Sequence, residues 1–131
     1  MAYLKPPAFT RVVFNRIAMR FGIGGSSTLV VPGRTTGVPQ RIPVIPVDVG
    51  GTRYVVSTRG ESDWVRNVRA GGRVTLEING GRAAYAATEV PIDERAPILD
   101  AYRAKAGRTV TGYFAKLPDA ADHPVFALHP S

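Results

Sequence analysis

At 131 residues the chain is long enough for one domain with a real core and too short for two, so 1–131 is read as a single domain, a helix and linker over 1–25 followed by a barrel over 26–131. With no cysteine, disulfides, thiolate metal sites and thiol nucleophiles are excluded, and His123 and His129 have no acidic cluster beside them in sequence, so no metal site is expected. The net charge of +7, from 17 basic and 10 acidic side chains, permits an anionic cofactor, nucleic acid or an anionic membrane face.

Lys5, Lys105 and Lys116 are the only lysines. An arginine excess suits bidentate recognition of oxyanions, and a GC-rich genome yields the same bias. No apolar run is long enough to cross a bilayer, and the N-terminus lacks the pattern of a secretory signal. The expectation is a cytoplasmic protein, with peripheral contact at the inner membrane face left open.

In chain order, Ala8 to Phe21 reads as a helix, with Val13, Phe14, Ile17, Ala18 and Phe21 on one arc and Arg16 and Arg20 flanking it. That helix either packs on the barrel or serves as a peripheral membrane or quinone-access element. Strands follow at Thr28 to Pro32, Ile42 to Val49, Arg53 to Ser57, Val74 to Ile78, Arg82 to Val90 and Val125 to His129. Val49-Gly50-Gly51-Thr52 and Ile78-Asn79-Gly80-Gly81 supply the positive-φ residues of tight hairpins. Pro43 and Pro46 confine their strand to an edge or bulge.

One helix is expected from Asp63 to about Ala70, capped by Ser62 or Asp63 and stopped by Gly71-Gly72. A second runs from about Asp93 to Ala106, with Pro97 in its first turn. About six antiparallel strands with helices inserted late predict a mainly β fold, a small barrel, and exclude a doubly wound parallel sheet.

Two loops concentrate the candidate chemistry. Gly33-Arg34-Thr35-Thr36-Gly37 and Ser57-Thr58-Arg59-Gly60 each combine glycine, hydroxyl donors and arginine, and the second runs into the start of a helix. Glycine lets a backbone approach a ligand, and arginine forks match phosphate or carboxylate oxygens in pairs. Helix N-termini add free N–H groups, so the pattern points to a phosphate-bearing ligand. Glu61 and Asp63 read as salt-bridge partners of these arginines or as a helix cap. No catalytic triad, Walker loop or dinucleotide fingerprint is present, so the hard chemistry is expected to lie in a bound cofactor.

Gly33-Arg34 with Gly37-Val38-Pro39-Gln40-Arg41-Ile42-Pro43, followed by Thr58-Arg59-Gly60 and Trp64-Val65-Arg66-Asn67-Val68, resembles the motif order of the deazaflavin-dependent nitroreductase family, which binds coenzyme F420. The resemblance spans nearly the whole chain. It implies a split β-barrel, of the type that also binds FMN, and hydride transfer from reduced deazaflavin to a small hydrophobic quinone, nitroaromatic or activated enone. By the same resemblance Arg34, Arg41 and Arg59 hold phosphate or tail carboxylates, with Thr35 and Thr36 in the first loop. Ser57, Thr58 and Gly60 offer donors near the ring system, while Trp64 and Asn67 wall the pocket or serve as core packing and a helix-to-loop tie.

Departures from the family pattern are Thr35 where relatives carry lysine, Val65 for tyrosine, Gly71-Gly72 for Asn-Pro, and a shorter second loop. Relatives place tyrosines over the ring from the C-terminal part. Tyr113 is the nearest equivalent, ahead of Tyr102, and Tyr113 and Ser57 are the candidate catalytic residues, with Thr58 or water as other proton donors. An FMN-dependent oxidoreductase and a non-catalytic cofactor carrier remain alternatives. A nucleic-acid module is disfavoured, because no basic strand carries interleaved aromatics. Homodimer formation stays open.

Overall fold

A computed structural model describes residues 27–131, so the expected helix over Ala8 to Phe21 and its membrane role lie outside the described residues. Seven strands appear: β1 Ser27–Pro32, β2 Pro39–Val44, β3 Val47–Val49, β4 Thr52–Val56, β5 Arg73–Ile78, β6 Gly81–Glu89 and β7 Val125–Pro130. The helices are α1 Asp63–Gly71, α2 Ala96–Ala106 and α3 Arg108–Lys116, with single 3-10 turns at Ile92–Glu94 and Ala120–Asp122.

All strand pairs are antiparallel, in the order β2-β1-β5-β6-β7-β4-β3. Consecutive strands β2 and β3 therefore occupy opposite edges, joined by Ile45 and Pro46 alone. A flat sheet of seven strands would be about 29 Å wide at about 4.8 Å per step. The three Cα–Cα steps from Val44 to Val47 reach at most about 11 Å. The sheet must curl until its edges nearly meet, and that is the split β-barrel.

The same geometry explains why seven strands appear and not six. Ile42 to Val49 is not one strand, because Pro46 cannot donate to a ladder and the chain leaves one sheet edge there for the other. Both hairpins form as expected, with φ of 59° and 83° at Gly50 and Gly51 and of 49° and 81° at Asn79 and Gly80.

Strand alternation divides the core in two. Val55 faces the barrel interior with Leu29, Val31, Leu76, Phe126, Leu128 and the Trp64, Val65 and Val68 face of α1. Its neighbour Val56 faces outward, under Ile98, Leu99 and Tyr102 of α2 and Val110 and Phe114 of α3. Helix α3 is not expected from the sequence, since Thr109, Val110, Thr111 and Gly112 are weak helix formers; burial of Val110 and Phe114, four residues apart, holds it. Helix α2 begins at Ala96, after the 3-10 turn that occupies Ile92–Glu94.

Candidate functional site

The β1–β2 loop and the segment from β4 to α1 meet at the start of α1. In the first loop Gly33 N donates to Val38 O and Gly37 N to Gly33 O, each at 2.9 Å, and Val38 N donates to the Thr36 hydroxyl oxygen. A Cβ on Gly33 would lie 3.1 Å from Val38 O, so the turn is closed too tightly for a side chain there. Thr35 and Thr36 are exposed. Arg34 donates to Asn67 Oδ1 from its backbone N at 3.1 Å and from Nη1 at 2.8 Å, and Asn67 Nδ2 donates to Gln40 Oε1 at 2.9 Å. Buried Asn67 thus ties the first loop to α1. Arg34 also lies 3.8 Å from Asp63.

In the second segment Gly60 has φ +83°, and its carbonyl accepts from the Ser57 hydroxyl at 2.6 Å and from Ser62 N at 2.9 Å. Only a residue tolerant of positive φ presents its carbonyl to both donors. Ser57 is buried at 2% exposure and its hydroxyl hydrogen is committed to that bond. Arg59 crosses to α3, where Nη2 donates to the Tyr113 hydroxyl at 2.8 Å and the guanidinium lies 5.0 Å from the ring centre. Tyr102 is buried beside Thr58, Arg59 and Tyr113, and burial raises its hydroxyl above the ordinary phenol range, which keeps it neutral.

The remaining residues fall elsewhere. Trp64 is a core residue, packed at 5.9 Å between ring centres on Phe126. Arg41 lies on the opposite strand face from Gln40, where it pairs with Glu77, away from the Asn67 tie. Glu61 binds Arg69, which also binds Glu89; Glu89 in turn meets buried Arg95. These pairs hold Glu89 below the ordinary carboxylate range, chiefly through Arg69, while burial lowers the Arg95 guanidinium.

Several donors here lack a partner, and one carboxylate, Asp63, stands in the first turn of α1 beside Arg34. Among the described residues, buried side-chain donors without a partner are Arg59 Nε and the hydroxyls of Ser62 and Ser27, and Ser62 is the N-cap residue of α1. Ser62 occupies the N-cap without a side-chain capping bond, so the first-turn N–H groups of α1 have no intrahelical partner. No carboxylate of the described residues pairs with Arg59, and residues 1–26 contain no Asp or Glu. Arg59 Nε, Ser62 Oγ and the first-turn amides of α1 are donors of the kind that an oxyanion accepts from. Arg95 and His123, both buried, carry no motif signal and are missed by sequence reasoning.

The sequence profile described as F420H(2)-dependent quinone reductase matches residues 9–117. No curated protein matches. A solved heme-binding protein from Mycobacterium smegmatis is similar at a TM-score of 0.60 and 18% identity, over 81% of this chain and 46% of that one, so the chain spans less than half of its length. A solved F420 reductase is similar at a TM-score of 0.59 and 17% identity, over 81% of this chain and 86% of that one. An F420-H2 dependent reductase gives a TM-score of 0.50 and 19% identity, over 79% and 93%. These likenesses show the split-barrel fold.

Proposed function

The chain belongs to the F420H2-dependent quinone reductase family, and from that premise we propose that it reduces a small hydrophobic acceptor of the quinone class, with nitroaromatics and activated enones as further substrates. The observation that carries this reading is the pair of buried, unpartnered donors, Arg59 Nε and Ser62 Oγ, on the segment that leads into α1. F420 carries a phosphodiester and an oligoglutamate tail, and this donor set has the charge and hydrogen-bonding capacity such a group requires.

When bound, reduced F420 supplies the hydride. Arg59, Ser62 and the first-turn amides of α1 would hold the phosphate, and Arg34, with the exposed hydroxyls of Thr35 and Thr36, would hold the tail. The Asn67–Gln40 tie holds Arg34 in place, which lowers the ordering cost of binding. Thr58 and Gly60 would line the side of the site that takes the ring system. Tyr113 accepts from Arg59, which leaves its own hydrogen free to be given to the reduced acceptor, whereas the Ser57 hydrogen is already committed. Tyr113 is therefore the proton donor and Ser57 a structural residue of the loop.

Fluorescence titration with F420 and with FMN, followed by anaerobic turnover of reduced F420 with a quinone, a nitroaromatic and an enone, tests the reading. Tight F420 binding with quinone-dependent oxidation is the expected result. Binding without turnover of any acceptor would make the protein a carrier, and a preference for FMN would overturn the cofactor assignment.

A further inference from the structure

Glu61 stands in sequence between the two unpartnered donors, Arg59 and Ser62, and nothing in the reaction described above uses it. Its side chain is 12% exposed, and both carboxylate oxygens accept from Arg69, Oε1 from Nη1 and Oε2 from Nη2 at 2.9 Å. The same guanidinium holds a second carboxylate: Nε donates to Glu89 Oε1 at 2.8 Å and Nη2 to Glu89 Oε2 at 2.7 Å. One planar group thus supplies two forks. A lysine ammonium, a point charge without a fork, cannot reproduce them.

We propose that Arg69 is a positioning residue of the anion site, holding the Arg59–Ser62 run in place through Glu61. Arg69 lies in the last turn of α1, and Glu61 immediately precedes Ser62, the N-cap residue. The fork therefore ties the approach to the helix back to its far end and fixes the angle at which that run enters α1. Behind it the anchor is deep. Glu89 Oε2 also accepts from Arg95 Nη2 at 3.1 Å. Arg95, with a side chain 4% exposed, donates from Nε to Val90 O at 2.9 Å and from Nη1 to Ala120 O at 3.0 Å.

The two ends of the segment are held differently. At its start, Ser57 N donates to Pro124 O at 2.9 Å, and the His123 ring lies between the Ser57 and Leu117 carbonyl oxygens. Its end has short-range backbone bonds, from Ser62 N to Gly60 O and from Arg66 N to Ser62 O, and the Glu61 fork as its tie to the last turn of α1. Among the described residues Glu61 has no other partner, and the Ser62 hydroxyl has none. Two carboxylates face two guanidiniums, so charge balances within the cluster. Hydrogen bonding to Glu89 and then to Glu61 raises the Arg69 guanidinium above its ordinary range, which keeps both forks charged. A bidentate network of this kind persists where a single exposed pair contributes little, and a segment ordered beforehand binds at lower entropic cost.

The effect on binding rests on the F420 reading; the effect on the segment does not. In amide hydrogen exchange of the unliganded protein, Glu61→Gln is expected to speed exchange at Ser62 about tenfold, with Val55 and Ser57 unchanged. Unchanged protection at Ser62, or equal acceleration at all three amides, would overturn the proposal, the second because it reports lost stability alone. Glu61→Gln leaves the Arg69–Glu89 fork intact, and Arg69→Lys, which keeps the charge, is the second variant should the first fold poorly. By fluorescence titration each is expected to weaken F420 binding roughly tenfold, and the two together no more than either alone, because both break one pair. Wild-type affinity in both variants, or fully additive losses in the double variant, would refute the positioning role. Failure of the wild-type protein to bind F420 would remove the cofactor reading and leave the exchange result to decide whether Arg69 anchors the segment.

Discussion

Arg59 and Tyr113 meet twice over: a 2.8 Å hydrogen bond from Nη2 to the phenol oxygen, and a guanidinium 5.0 Å from the centre of the same ring. The two residues are 54 positions apart. One stands on the loop after β4 and the other on α3, so the pair joins the barrel to the outer helical layer beside the proposed anion site. Arg59 Nε is buried and has no partner, while Nη2 is engaged with Tyr113.

Replacing Arg59 with Ala should weaken F420 binding by roughly 1.5 to 3 kcal/mol, the scale of a hydrogen bond to a charged group. The melting temperature should change little, because Arg59 has no carboxylate partner among the described residues and its ring contact is partly exposed. Fluorescence titration alongside thermal unfolding checks both. Affinity equal to wild type would mean that the receptor takes its anion elsewhere.

Tyr113→Phe and Ser57→Ala should separate chemistry from structure. Loss of a positioned general acid costs typically 10²-fold or more, so Tyr113→Phe is expected to lower kcat by about that factor with a small change in cofactor affinity. Ser57→Ala removes the bond that fixes the Gly60 carbonyl, and should cost about 1 kcal/mol of stability and weaken binding more than it slows turnover. A Ser57→Ala enzyme with normal affinity and a collapsed kcat would reverse the two roles.

The Arg69–Glu89–Arg95 cluster predicts acid sensitivity. Hydrogen bonding to Arg69 holds Glu89 below the usual glutamate value of 4.5 in the folded protein. Its contribution is therefore fully present above about 4.5, the unfolded value, and is lost as pH falls through the lower folded value. Glu89→Gln should lower the melting temperature at neutral pH, and the gap from wild type should narrow as pH drops below that range. A gap that stays constant into strong acid would show that the pairing contributes nothing through charge.

Much of this architecture is legible in the amino-acid sequence. Gly50-Gly51 and Asn79-Gly80 announce their hairpins because few other residues accept positive φ, and Gly72 ends α1 at φ 69° for the same reason. What resists reading is whatever depends on contacts distant in sequence. Pro46 signals an edge, but only closure of the sheet reveals that the chain exchanges one edge for another there. Motif matching groups Arg41 with Arg34, whereas strand alternation sends Arg41 to Glu77 and leaves Gln40 to meet Asn67. Helix α3 has poor local propensity and exists through burial, and it delivers Tyr113; nothing local to His123 discloses the two carbonyls that bracket it.

That division between Arg34 and Arg41 yields a test of how the polyanionic tail is held. Screened ion pairs weaken with salt while ring stacking does not, so the tail's share of affinity can be isolated by comparing F420 with a tail-free precursor across ionic strengths. The precursor should bind more weakly and with a shallower salt dependence. Arg34→Ala should bring F420 toward the precursor's affinity and slope, because Arg34 stands at the start of α1 with a side chain 39% exposed. Arg41→Ala should leave both unchanged, since its guanidinium is engaged with Glu77 on the other strand face. An Arg41→Ala loss equal to that of Arg34→Ala would show that the tail runs along the outer sheet face, and equal affinities for F420 and its precursor would restrict these arginines to the phosphate.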